Sequence, residues 1–123
     1  MSKRPINLNL LTISFPITAI VSILHRISGF LLFLVIPIFL AVMALTLHSP
    51  ETFFTVHICF AHPLIKLLLL GFLFALFYHL FAGIRHLLMD AGVGEELKSA
   101  RFSAGFVMVL TILITGWMGI YLW

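Results

Sequence analysis

Residues 22–29, SILHRISG, and residues 78–86, YHLFAGIRH, gather three histidines and two arginines in a chain of which only 9% is charged. Imidazole can bind a metal, relay a proton or hydrogen-bond a neighbour, and a hydroxyl beside a guanidinium can grip a carbonyl oxygen. His79 stands apart from the others. If the second stretch is helical, the six residues from His79 to Arg85 amount to about 9 Å of rise, which sets His79 beneath the level of the arginine. Three readings are open for it: a packing histidine, a proton relay and an axial ligand to heme iron.

The surroundings favour heme. Gly83, four residues on and on the same helical face, leaves a notch for a flat macrocycle, and Arg85 and His86 suit its propionates. No CxxCH occurs, so the heme would be non-covalent and b-type. His86 cannot share one iron with His79, because seven helical residues separate them by about 10 Å. His25 sits near an interface, and His48, His57 and His62 fall on the far side, so a second axial ligand is expected from another chain. In SILHRISG, Ser22, His25, Arg26 and Gly29 share one helical stripe. Arg26 could simply snorkel to lipid while Gly29 packs a helix. Alternatively, Ser22 and Arg26 present a hydroxyl and a cation to a quinone carbonyl and stabilise the negative charge that arrives with electrons.

The elements that must position these groups follow from composition. The 123 residues are 63% hydrophobic with a mean hydropathy of +1.24, too few charges to clothe a water-soluble domain. Three apolar runs, at roughly 20–47, 63–88 and 102–123, reach the ~20 residues needed to cross ~30 Å of hydrocarbon as helix. This predicts an all-α membrane protein of three transmembrane helices forming a single membrane-anchor domain, residues 1–123. Residues 1–19 form an interfacial arm in which Ile6, Leu8, Leu10, Leu11, Ile13 and Phe15 partly alternate with other residues. Pro37 predicts a kink in the first span. Residues 48–63 form an outer loop of mixed polarity with room for a short interfacial helix.

Lys3, Arg4, Arg26, Arg85, Lys98 and Arg101 fall on one side and only Lys66 on the other, which makes the N-terminus cytoplasmic and the C-terminus periplasmic. The basic residues are scattered singly at span ends, so the net charge of +3 speaks for topology and against nucleic acid. The first sixteen residues lack the apolar core of a cleavable signal. Cys59 is the single cysteine, and the outer histidines have no compact metal-ligand spacing.

Taken together, RP-x-N-L, FPITAI, S-x-L-H-R-x-S-G and Y-H-x-x-x-G-I-R-H-x-x-x-D resemble the cytochrome b556-type membrane anchor subunits of bacterial succinate dehydrogenase (respiratory complex II). The resemblance spans residues 4–29 and 78–90. It implies that His79 is an axial heme ligand, that Ser22 and Arg26 line a ubiquinone pocket, and that His25, Arg26 and His86 lie near the heme propionates. It further implies a second membrane anchor supplying the other ligand, an iron–sulfur subunit and a flavoprotein subunit, in the bacterial inner membrane. The chain itself carries no dinucleotide-binding glycine motif, so any succinate or flavin site is expected on a partner. Two alternatives remain: the anchor of a quinol:fumarate reductase, and a small non-redox membrane subunit.

Overall fold

The computed structural model describes residues 14–123. Four helices follow one another: α1 (Ile17–His48), α2 (Pro50–Ala61), α3 (Pro63–Asp90) and α4 (Leu97–Leu122), with no strand among the described residues. Helices α1, α3 and α4 are long and apolar enough to span a bilayer, and α2 lies in the loop between α1 and α3. The arm expected at residues 1–13 falls outside the described residues, and positions 17–19, assigned to it by hydropathy, are the first residues of α1. Likewise α4 starts at Leu97, five residues before its apolar run. Hydropathy marks where a helix meets lipid, whereas the backbone signal that starts it can lie out among interfacial residues. For α1 that signal is Pro16, whose extended backbone (φ −64°, ψ 150°) precedes the first turn and whose carbonyl accepts from the Ala19 N–H at 2.9 Å.

The α1–α2 corner is closed by a reciprocal cap. The Ser49 hydroxyl accepts from the Thr52 N–H, the Thr52 hydroxyl accepts from the Ser49 N–H, and Pro50 opens α2. The Thr52 hydroxyl also lies 2.6 Å from the Leu45 carbonyl, one of the last four of α1 with no intrahelical partner. His62 alone separates α2 from α3: its Nδ1 accepts from the Leu64 N–H at 3.2 Å, and Pro63 supplies the first turn. At the other end of α3, Gly92 adopts φ +80°, the Val93 N–H reaches the Leu88 carbonyl and the Gly92 N–H reaches that of Met89. That left-handed closure lets the chain reverse in a few residues and start α4. Helix α1 runs unbroken through Pro37.

Helix α3 touches each of the other three. Against it α4 turns a stripe of small residues, Ala100, Ala104, Val107, Thr111 and Thr115, all buried and spaced three or four apart. The core is correspondingly small: Val21, Tyr78, Ala82, Ala104 and Val107. The Tyr78 hydroxyl donates to the Val21 carbonyl at 3.0 Å and so joins α3 to α1 inside it. The large apolar side chains point outward; Phe33, Phe102 and Ile120 are 73–76% exposed, as suits a surface bathed in hydrocarbon. At the α2 end Lys66 sits over the Trp123 ring, 5.6 Å from its centroid, and Trp117 meets Tyr121 edge to face. Those residue types suit a bilayer–water boundary.

Ala104 has no exposed surface and meets the buried core directly. Ala104→Leu should therefore overpack the α3–α4 seam and cost about 1–3 kcal/mol. Thermal unfolding of the detergent-solubilised protein should show a lowered midpoint.

Candidate histidine and hydroxyl site

Antiparallel α1 and α3 bring the two polar stretches to one level, and three imidazoles meet there. The His25 and His79 rings stack nearly parallel, with centroids 4.2 Å apart and 10° between planes. His86, two turns along α3, is tilted against His25 at 5.2 Å. A side chain at Gly29 would prevent this: a Cβ there would lie 2.9 Å from His79 Cε1, closer than such atoms approach. Glycine is thus the residue that lets the α3 imidazole lie against the α1 backbone.

The polar atoms of His79 divide into two kinds. Nδ1 lies 3.1 Å from the His25 carbonyl oxygen and 3.2 Å from the Ser28 hydroxyl. Nε2 makes no hydrogen bond to a described residue. A neutral imidazole whose Nδ1–H is held by a backbone oxygen keeps its Nε2 lone pair free, and this is how metal-ligating histidines are commonly oriented. The residues present therefore fit a heme iron at His79 Nε2. His25 supplies a further sign of an unfilled role, since its Nε2 is buried without a hydrogen-bond partner among the described residues. An orphaned buried nitrogen is costly, and a carboxylate such as a propionate would relieve it.

Sequence reading paired Gly83 with a macrocycle, but here it faces His25: a Cβ at Gly83 would lie 3.3 Å from His25 Nε2. Arg85 is corrected more sharply. Expected among propionate partners near the interface, it is 95% buried; its Nε donates to the Ser103 hydroxyl at 3.0 Å and an Nη to the Ala100 carbonyl at 3.1 Å. It points to α4, not to the histidines, because consecutive helical residues lie about 100° apart, which turns Arg85 away from the His86 side of α3. The guanidinium ties the first turn of α4 to α3. Ser22 is half-buried and Arg26 exposed, one turn apart on α1. Ser28 is buried within the cluster and went unnoticed in the sequence; its position three residues after His25 and next to Gly29 was the available signal.

Outside this cluster the polar chemistry thins out. A groove of 490 Å³ between α1, α2 and α3, reached by Leu32, Val35, Phe39, Phe60 and Phe72, is lined entirely by apolar residues and glycine. It offers no side-chain donor to a polar ligand. Of the histidines at the α2 end, His62 is spent capping α3 and His57 stacks on Phe53.

Residues 1–118 match the family described as succinate dehydrogenase/fumarate reductase transmembrane subunit. The succinate dehydrogenase cytochrome b556 subunit of Coxiella burnetii is 42% identical over 123 residues, covering 99% of this chain and 98% of that one. The subunit of the same name from Paracoccus denitrificans is 36% identical over 119 residues, covering 91% and 92% of the two chains. That of Rickettsia felis is 33% identical over 114 residues, covering 93% and 89%.

If Arg85 serves the α3–α4 junction, Arg85→Leu should destabilise the protein by about 1.5–3 kcal/mol, the usual worth of hydrogen bonds from a charged donor. The check is thermal unfolding in detergent; an unchanged midpoint would show that the junction does not depend on it.

Proposed function

This chain belongs to the succinate dehydrogenase/fumarate reductase transmembrane subunit family, and from that premise we propose that it is a heme b-bearing membrane anchor of succinate:ubiquinone oxidoreductase. The observation that carries this reading is the two-sided His79 imidazole, with Nδ1 held by oxygen acceptors and Nε2 free. His79 Nε2 would hold the iron. His25, Arg26 and His86 would hold the propionates, and burial of His25 Nε2 without a partner supports its share in that task. When bound, heme supplies a one-electron store beside the quinone site. A further ligand for the iron would come from a second membrane anchor, since His86 stands about 10 Å of helical rise from His79 along α3. The relatives' shared name, succinate dehydrogenase, favours succinate oxidation over fumarate reduction.

Ser22 and Arg26 would form one edge of the ubiquinone site. The exposure of Arg26 fits a donor whose pocket is completed by partner chains, and a cation there would stabilise charge developing on a quinone oxygen. Electrons would arrive from a flavoprotein and an iron–sulfur subunit on the cytoplasmic face. The strongly one-sided lysine and arginine distribution supports that orientation, with the N-terminus inside and Trp123 in the outer interface.

His79→Leu should abolish or alter the low-spin b-type reduced-minus-oxidised spectrum of the purified complex, and His57→Leu should leave it unchanged. An unaltered spectrum and heme content in His79→Leu would refute the ligand assignment. For the quinone edge, Ser22→Ala or Arg26→Leu should lower succinate-to-quinone turnover per flavin by about ten- to a hundredfold, the equivalent of a lost charge-assisted hydrogen bond in the transition state. Electron transfer from succinate to a soluble acceptor, measured on the same preparations, should persist. Equal losses in both assays would rule against a quinone contact.

A further inference from the structure

Resting on the reading of His79 as an iron ligand, we propose that Ser28 is a positioning residue for it: with the His25 carbonyl, its hydroxyl holds the imidazole proton on Nδ1 and aims the Nε2 lone pair outward. The hydrogen-bond inventory leads there. Ser28 is 5% exposed, and its hydroxyl donates to the His25 carbonyl at 2.8 Å. Two oxygens then face His79 Nδ1, the carbonyl at 3.1 Å and the hydroxyl at 3.2 Å. The carbonyl has no proton to give, and the hydroxyl has directed its own at that carbonyl. Nδ1 must therefore be the donor, and a neutral imidazole with a proton on Nδ1 has none on Nε2. The opposite tautomer would set the Nδ1 lone pair against the carbonyl oxygen.

The rest of the socket prevents the ring from turning away. Its Cε1 edge lies against the Gly29 backbone, where even a methyl group would be 2.9 Å distant. One face is covered by the parallel His25 ring at 4.2 Å. A single turn of α1, His25 to Gly29, thus supplies acceptor, hydroxyl, cover and clearance to a ligand carried by another helix. Hydrogen bonding at Nδ1 makes an imidazole a stronger donor at Nε2, and the more basic ligand favours ferric over ferrous iron.

The test compares Ser28→Ala, Ser28→Thr and His79→Leu in the assembled complex, with heme properties read per flavin. Alanine removes only the oxygen and is a better helix former than serine, so α1 persists. Ser28→Ala should raise the heme midpoint potential, shift the low-spin electron paramagnetic resonance g values, and release heme to an apoglobin acceptor about tenfold faster. Ser28→Thr, which keeps the hydroxyl, should return all three toward the parent values. Parent values of all three in Ser28→Ala, with heme lost in His79→Leu, would overturn the role of Ser28 and leave the ligand assignment standing. Equal deviations in Ser28→Ala and Ser28→Thr would mark a packing effect and also overturn it. An unchanged spectrum in His79→Leu would remove the ligand assignment itself, and the Ser28 role with it.

Discussion

The close approach of α1 and α3 at Gly29 is the constraint from which the rest of the cluster follows. In hydrocarbon, apolar burial drives helices together only weakly, so contact depends on surfaces that fit and on polar groups with nowhere else to go. A missing side chain on α1 admits the His79 ring, and the ring then finds its acceptors on the same α1 turn. Tyr78, the preceding residue, makes the companion bond to the Val21 carbonyl. Consecutive residues of α3 thus bond to backbone carbonyls one turn apart on α1, which fixes both the rotation and the axial register of the pair.

Helix α4 is held by a different means. Its small residues let the backbone come close to α3, and the buried Arg85 guanidinium reaches across to the first turn. An arginine at that depth is tolerable because its Nε and one Nη have oxygen acceptors, and it lies near the end of the helix. Two of the three contacts among the long helices, α1 with α3 and α3 with α4, are therefore pinned at the end that carries the histidines. The α2 end relies on capping at Ser49 and His62 and on apolar contact, and it is there that the groove opens. The histidine cluster thus stands at the braced end.

The outward surface is as informative as the small core. A bundle with so many exposed phenylalanines and leucines suits an apolar surrounding rather than water. His79 Nε2, which makes no hydrogen bond to a described residue, and the exposed Arg26 belong to the part of this surface with polar chemistry.

Much of this was legible from residue order alone. The three spans followed from apolar run length, because the width of hydrocarbon leaves little choice, and the common level of the two polar stretches followed from counting rise along antiparallel helices. Helical spacing likewise put Ser22, His25, Arg26 and Gly29 on one stripe. Spacing within a helix says nothing, however, about which neighbour a stripe will meet. That Gly29 receives His79 while Gly83 receives His25, that Arg85 turns to α4, and that the Ser28 hydroxyl lies 3.2 Å from His79 Nδ1 were decided by the rotation and register of packed helices. The partners in the His79 cluster lie more than fifty residues apart in sequence, so no local periodicity could pair them. The sequence by itself determined how many helices cross and which residue types stand at each depth, since both are properties of single helices in a slab of fixed thickness. Only the tertiary structure decided which atoms of those residues are spent on one another and which remain free, because that depends on contacts of a few ångströms between separate helices.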